Sequence, residues 1–374
     1  MPDRTVADPP DAPDARPAGG AVPRAARLPW LWLIVGVFAV LAAAVAGLAI
    51  GPVRLPPWSV LLELLDQLPG VDVDSGLSPR EAAIVTELRL PRVCLGLLVG
   101  AMLAVAGGTY QGIFRNPLAD PYLLGVAAGA GLGATAAIAS RNAFGDLPSI
   151  GGSGTPALVP LAAFAGALLA VGLTYGLGAA GGRSRTPTTL ILAGVAVASF
   201  LTAGQTFIQQ KYVDTIREVY SWINGRLATS GWHDVLLLLP YVVLAAIVIL
   251  PLGRQLDVMS VGDEEAAALG AHPSRTRYVL IIVASLGTAA AVAVSGLIGF
   301  VGIIVPHTVR LLAGTGYRVI LPLSLLFGAA FLCLADLAAR TLDAPNEIPI
   351  GVVTAFFGAP FFIVVLRTAR RVTG

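Results

Sequence analysis

Long apolar runs, separated by short polar stretches, fill this chain from about residue 30 onward. A helix needs about 20 apolar residues to cross the hydrocarbon of a bilayer. Runs of that length predict spans near residues 31–50, 93–114, 121–139, 156–180, 188–208, 234–252, 319–338 and 348–366. The longer run 278–313 has room for two more spans, with a break around Ser295 and Gly296. The pattern therefore predicts an all-α integral membrane protein with ten transmembrane helices and both termini on one side.

The composition agrees with a membrane protein. Apolar residues make up 56% of the chain and charged residues 12%, about half the charged share of a soluble domain. The net charge of +2 gives no indication of a nucleic-acid partner. Residues 1–28, rich in Asp, Pro, Ala and Arg, offer little apolar surface to bury and predict a disordered tail. Residues 29–371 are then the membrane domain.

Basic residues and glycines refine this picture. Alternating the loops places fifteen of the 24 basic residues on the side of the termini, which favours cytoplasmic termini under the positive-inside rule. Many of the 43 glycines lie inside the spans, where small residues let membrane helices approach closely. Two groups of glycines are expected to form such close-packing faces: Gly100, Gly107 and Gly108 in one span, and Gly296, Gly299 and Gly302 in another.

The sequence lacks an energy-coupling centre of its own. A P-loop ends in Gly-Lys followed by Ser or Thr, but the only lysine, Lys211, follows Gln210. The three histidines are far apart and show no zinc spacing. Asp336 is the one carboxylate clearly inside a predicted span, and Arg340, one helical turn later, is its plausible partner. A single, locally paired acid is a poor proton relay, so energy is expected to come from another subunit.

The loop 253–277 predicts where that subunit binds. Asp263, Glu264 and Glu265 fit a helix N-terminus, where acidic side chains complement the helix dipole. The residues that follow favour a helix, and Gly270 fits its C-terminal stop. A short helix between two spans predicts a docking element for a partner. The alternative is a helix that lies at the membrane interface without a partner.

Two polar signatures stand at the ends of one apolar span. Arg89-Leu90-Pro91-Arg92 begins it, and Arg115-Asn116-Pro117-Leu118-Ala119-Asp120-Pro121 ends it. A charge inside hydrocarbon costs several kcal/mol, so arginines collect where a helix meets water or where a partner needs them. The pattern indicates a protein contacted from both sides of a bilayer.

With these signatures, an ordered set of motifs over about residues 89–366 resembles the permeases that import iron-siderophores, haem and vitamin B12, the FecCD or BtuC-like type II ABC importers. The further motifs are Gly107 with Gln111, Leu192-Ala193-Gly194, Trp222 with Gly225 and Trp232, Ala268-Leu269-Gly270, Gly296 to Gly302, Pro306-His307 with Arg310, Asp336 with Arg340, Glu347 to Gly351, and Gly358 to Phe362.

The resemblance implies a BtuC-like permease fold, in a homodimer with ten helices per subunit and a central pathway. It places the chain, as a multi-pass protein, in the bacterial cytoplasmic membrane. Two ATPase subunits would dock on the cytoplasmic face and an extracytoplasmic substrate-binding protein outside. ATP and Mg²⁺ would be bound by the ATPase, with no cofactor or metal bound by this chain, which would not be an enzyme.

The resemblance also assigns roles to residues. Binding-protein docking falls to Arg89, Arg92 and Arg340; alternatively, these mark span ends and pair with Asp336 or Glu87. The coupling element matches 257–272, with Asp257, Gly262, Asp263, Glu264, Glu265, Ala268, Leu269 and Gly270 as its candidates. The cytoplasmic gate falls at Thr186, Pro187, Thr188 and Thr189, which could equally cap a helix. Candidate pathway contacts are Ser199, Thr202, Gln205 and Thr206, which could equally bond to neighbouring helices.

One residue departs from the pattern of the family. Arg226 follows the glycine of the Trp-x-x-Gly motif, where many relatives have a small polar residue. A cation at the outer mouth could attract an anionic chelate, help docking, or simply be solvated.

The function expected is ATP-driven import of a bulky metal chelate by alternating access. A ferric siderophore is preferred over haem or cobalamin, and a proton-coupled carrier is the alternative from another class.

Overall fold

The computed structural model describes residues 30–67, 69–144, 158–180, 187–227 and 231–372. These residues form helices joined by short links, and no strand occurs among them. The helices are α1 (Trp30–Ala49), α2 (Pro57–Asp66), α3 (Pro79–Ala83), α4 (Leu90–Phe114), α5 (Val126–Phe144), α6 (Leu158–Ala180), α7 (Pro187–Lys211), α8 (Ile216–Ile223), α9 (Trp232–Ile249), α10 (Gly253–Met259), α11 (Asp263–Ala268), α12 (Pro273–Ser295), α13 (Val301–Ala313), α14 (Tyr317–Thr341) and α15 (Ile350–Val372). A π-helical segment, Ile84–Arg89, joins α3 to α4.

Seven helical segments of the described chain are long and apolar enough to cross a membrane. They are α1, the continuous segment Pro79–Phe114, Leu158–Gly178, Thr188–Lys211, α9, α12 and α14. A helix also lies at each of the other three predicted spans, α5, α13 and α15. Because α13 and the apolar part of α15 (Ile350–Val365) are shorter, the all-helical membrane class is confirmed and the count of ten stays a prediction.

The break expected around Ser295 and Gly296 is confirmed. Helix α12 ends at Ser295, and Gly296 adopts φ 72°, a left-handed conformation that favours glycine. A side chain on Gly296 would also overlap the carbonyl oxygen of Trp222. The chain then turns and starts α13, which has only 13 residues. The apolar run 278–313 therefore contains two helices.

Helix α4 forms the centre of the bundle and is buried along almost its whole length. It packs against α14, α12, α13 and α9. The expected close packing is confirmed at two crossings, where a side chain on Gly100 would overlap the backbone of Gly328, and one on Gly107 would overlap Gly302. Gly299 differs from the expectation, since no atom lies within 4 Å of the place its side chain would occupy.

The bundle has two ends that carry charged residues. The arginine end comprises Arg89, Arg92 and Arg340 with the segments around them. The coupling end comprises the loop 253–277 with the C-terminus of α4 and the N-terminus of α12. Helix α4 connects them, because Arg92 lies in its first turn and Arg115 follows its last residue. Any communication between the two ends can pass through this one buried helix.

Candidate functional site

At the coupling end, one carboxylate joins three helices. Asp263, the first residue of α11, accepts hydrogen bonds from Nη2 of Arg277 at 3.0 and 2.9 Å. It also pairs with Nη2 of Arg115, which follows α4, while Nε of Arg115 donates to the Met259 carbonyl oxygen at 2.8 Å. Arg277 lies in the first turns of α12 and is buried. The Asp263 cluster, defined as Asp263, Arg115 and Arg277, therefore ties α11 to the ends of α4 and α12.

The electrostatics of this cluster favour the ionised carboxylate. Burial by itself would raise the pKa of Asp263, but the hydrogen bond and charge of Arg277, together with Arg115, lower that pKa below its ordinary value. Arg115 adopts a left-handed conformation with φ 49°, which is uncommon for a residue other than glycine. Its guanidinium contacts both the Met259 carbonyl oxygen and Asp263.

The short helix predicted in the loop 253–277 is present. Helix α11 spans Asp263–Ala268 and is flanked by Gly262 with φ 145° and Gly270 with φ 81°. The Leu269 side chain is 73% exposed, and the other expected coupling residues Glu264, Glu265 and Ala268 are exposed as well. Asp257, on α10, accepts a hydrogen bond from the backbone N–H of Tyr317 at 2.5 Å, which holds the loop against α14. Helix α11 is therefore an exposed helix whose loop is held against α14 by a hydrogen bond.

At the arginine end, Asp336 has a different main partner from the one predicted. Nε and Nη2 of Arg92 donate to its carboxylate at 2.8 to 3.1 Å, whereas Nε of Arg340 lies 3.7 Å away. Arg92 also donates to Glu347 at 2.9 and 3.0 Å. The Asp336 side chain is 4% exposed and that of Glu347 41% exposed. Arg92 thus fastens α4 to α14 and to the segment that precedes α15.

The other two arginines of this end cap helix α1. Arg89 donates to the carbonyl oxygens of Leu48 and Ala49 at 2.6 and 3.2 Å and to that of Val53. Arg340 donates to the carbonyl oxygen of Gly47 at 2.5 Å. The last carbonyls of a helix lack partners within the helix, so the two arginines satisfy those of Gly47 and Leu48, while that of Ala49 also accepts from the Leu55 N–H at 3.3 Å. Both arginines are buried, and docking by them stays a prediction.

Arg226 lies on the surface between two cavities at this end. Its backbone N–H donates to the Ser295 carbonyl oxygen at 2.8 Å, which holds the turn beside the break between α12 and α13. A cavity of about 260 Å³ contains Arg226 with Asp234 and the Arg141–Glu218 ion pair. A second cavity, of about 230 Å³, contains Arg226 together with Arg92, Asp336 and Glu347. The outer-mouth role predicted for Arg226 stays untested.

The predicted pathway residues, and the predicted gate residues from Pro187 onward, lie on α7, which packs one side against α5 and α6. Its opposite side exposes large apolar side chains, among them Phe200 at 76%, with Leu192, Val195 and Phe207. Ser199 and Thr206 are exposed, yet their hydroxyls donate to the carbonyl oxygens four residues earlier, at 2.9 and 3.0 Å.

The remaining candidates on this helix are placed as follows. Thr202 is exposed, Gln205 lies against Gly131 of α5, and Thr188 and Thr189 are exposed at the start of the helix. Pro187 is the first residue of α7, and Thr186 lies outside the described residues. Between Pro187 and Gln210 the helix carries no charged residue. This face therefore offers hydroxyl, apolar and aromatic groups.

Arg115 and Glu347 stand within the sequence motifs without a predicted role, and no role was predicted for Arg277. Arg115 and Arg277 complete the Asp263 cluster, and Glu347 is the second partner of Arg92. Helix spacing could not reveal these contacts, because the partners lie 148, 14 and 255 residues apart. The available signal was the placement of basic residues next to predicted helix ends.

The long apolar helices with charged residues at the two ends of the bundle are those of a multi-pass membrane protein. The model of the FecCD transport family matches residues 38–368. The cobalamin import system permease protein BtuC of Halobacterium salinarum is 46% identical over 293 residues, covering 78% of this chain and 75% of that protein. The Fe(3+)-citrate import system permease protein YfmE of Bacillus subtilis is 34% identical over 348 residues, covering 93% and 98%.

A solved structure of a metal-chelate type ABC transporter in an inward-facing conformation superposes with a TM-score of 0.75. It is 29% identical in sequence, and the match covers 90% of this chain and 98% of that one. The chain belongs to the FecCD transport family. It is the permease of a metal-chelate type ABC importer, and such permease subunits are not themselves enzymes.

Proposed function

We propose that this chain forms the membrane pathway for a bulky metal chelate of low net charge, with cobalamin as the first candidate. The low net charge of the chelate is inferred from the exposed face of α7, which has no charged residue between Pro187 and Gln210. A strongly anionic cargo would lose its hydration there without gaining a cationic partner. Cobalamin is preferred because the cobalamin permease of H. salinarum is 46% identical, against 34% and 38% for two iron-citrate permeases of B. subtilis.

A ferric siderophore is the second candidate, supported by the iron(3+)-hydroxamate permease FhuB of B. subtilis at 38% identity. The test is uptake into vesicles that contain the chain, its ATPase and its binding protein. Cobalamin, a neutral ferric hydroxamate, haem and anionic ferric citrate would be compared in the same preparation. Preferential transport of cobalamin or of the hydroxamate supports a cargo of low net charge, whereas preferential transport of ferric citrate or haem contradicts it.

The coupling end is proposed to face the cytoplasm, with both termini on the same side. The excess of basic residues on the side of the termini supports this orientation. The exposed helix α11 offers an ATPase a surface to bind. Force applied to α11 would reach α4 and α12 through the Asp263 cluster. Cysteines placed at Glu264 and at Asp74 should be labelled from opposite sides of intact vesicles, and labelling from the same side would contradict the orientation.

A homodimer with a central pathway is proposed from the exposed side of α7. Large apolar side chains there, including Phe200 and Phe207, have no cover within the described chain. Covering them with the α7 of a second copy would leave the hydroxyls of Ser199, Thr202 and Thr206 available along the axis. Crosslinking of single cysteines introduced along α7 tests the arrangement, because the pathway model requires bonds between equivalent positions of two copies.

The arginine end is proposed as the docking face for the binding protein. Among its three arginines, Arg92 is the candidate for direct contact, because its side chain is 12% exposed and its partner Glu347 lies on the surface. Arg89 and Arg340 would support this face from beneath through α1. A charge-reversed Arg92→Glu should weaken binding-protein affinity. Unchanged affinity in the folded variant would remove Arg92 from the interface.

A further inference from the structure

A cavity of about 520 Å³ opens at the coupling end between α10 and the start of α12. Its wall includes Arg254, Leu269, His272 and Arg275, which together define the basic groove. Thr276 donates to the side-chain oxygen of Gln255 at 2.6 Å, so a hydrogen bond between α10 and α12 fixes the floor. The groove therefore has a defined shape.

The charge in this groove is not neutralised within the described chain. No carboxylate lines the cavity, and Arg254 and Arg275 are exposed with no ion pair among the described residues. The neighbouring Arg115 and Arg277 differ, because they share Asp263. Two guanidinium groups around one cavity present donors that match the geometry of a carboxylate or a phosphate. The groove is thus suited to an anionic group.

The location of the groove selects the kind of partner. Its lining residues Leu269 and His272 lie in the short segment between α11 and α12, so the groove is continuous with the surface proposed to contact the ATPase. The 73% exposed Leu269 beside two cations fits a protein segment that carries an acidic side chain next to apolar ones. We propose that the basic groove receives a carboxylate of the partner ATPase. This proposal rests on the proposed function, in which the ATPase docks at the coupling end.

The test compares Arg254→Glu and Arg275→Glu with Arg318→Glu, an exposed arginine outside the groove at the same end. Affinity of each purified permease for its ATPase subunit is measured in the same detergent. Reversal at either groove position should weaken binding about tenfold or more, because like charges would meet in the interface. Arg275→Lys should retain most of the affinity, and Arg318→Glu should bind like the wild type.

A second arm identifies the partner residue. Acidic residues of the ATPase are changed one at a time to arginine, and each variant is paired with Arg275→Glu. Recovery of binding in one such pair establishes the contact, and failure of every pair contradicts it. Folding of each permease variant is checked by its melting temperature and monodispersity.

The remaining outcomes separate this proposal from the proposed function. Failure of the wild-type permease to bind the ATPase would overturn the proposed function itself. Normal wild-type binding that survives both reversals would overturn the groove proposal alone. Arg254→Glu and Arg275→Glu are also compared for binding of phosphatidylglycerol in vesicles. If both variants lose this lipid and keep their ATPase affinity, the groove binds an anionic lipid and the proposal is overturned.

Discussion

Asp336 offers a sharp test of the electrostatic account of the arginine end. Its carboxylate is 4% exposed and lies between Arg92, at 2.8 Å, and Arg340, at 3.7 Å. Asp336→Asn keeps the shape of the side chain but leaves the buried Arg340 without a carboxylate partner and Arg92 with Glu347 alone. Removing one member of a buried ion pair costs about 3–5 kcal/mol. At about 1.3 °C for each kcal/mol in a chain of 374 residues, the melting temperature should fall by about 4–6 °C.

The matched control is Glu347→Gln, which removes the other carboxylate that Arg92 contacts. The Glu347 side chain is 41% exposed, and an ion pair of that exposure contributes about 1 kcal/mol or less. Melting temperatures of purified permease would be compared for the wild type, Asp336→Asn, Glu347→Gln, Arg92→Gln and the double variant Arg92→Gln/Asp336→Asn. The double variant should lose less than the sum of its single variants, because the two residues share one interaction.

Equal, small shifts for Asp336→Asn and Glu347→Gln would refute the assignment of a structural role to the buried pair. The same variant separates two mechanisms. If Asp336 serves structure, the folded fraction of Asp336→Asn keeps ATP-driven transport. A proton-coupled carrier that uses this acid as its relay would lose transport altogether.

Three further predictions concern the packing and the coupling end. Gly107→Val should destabilise the permease by about 3 kcal/mol or more, measured by thermal melting, because its side chain would overlap Gly302, whereas Gly299→Ala should leave the melting temperature unchanged. Asp263→Asn should keep ATPase binding but lower the transport achieved per ATP hydrolysed, since α11 would lose its charged tie to Arg277; an unchanged ratio would contradict this role. The folded pKa of Asp263 lies below its unfolded value of about 3.9, so its stabilising contribution is complete above that value and is lost as the pH falls through the folded pKa. The difference in melting temperature between the wild type and Asp263→Asn should therefore stay constant from about pH 8 to pH 5 and shrink only below about pH 4.

Features encoded by neighbouring residues could be predicted from the sequence. Helix α11 follows from the acids at its start and Gly270 at its end, and the break at Gly296 follows from a run too long for one span. The long apolar runs of a membrane protein locate its helices because the thickness of the bilayer sets the minimum length of a spanning helix.

Contacts between distant segments could not be predicted in this way. Sequence spacing paired Asp336 with Arg340, one turn away, whereas the stronger contact is with Arg92, 244 residues earlier. The same limit hid the two arginines that hold Asp263, and the capping of α1 by Arg89 and Arg340. Which arginine reaches which acceptor depends on how the helices cross, and that is decided by close packing at glycines such as Gly100.

The most direct test of the account asks what drives the permease. Vesicles would contain the chain with its binding protein and cobalamin outside, either with the ATPase and ATP inside or with a proton gradient and no ATPase. The account predicts accumulation above the external concentration only when the ATPase hydrolyses ATP. Uphill accumulation driven by the proton gradient alone would contradict it.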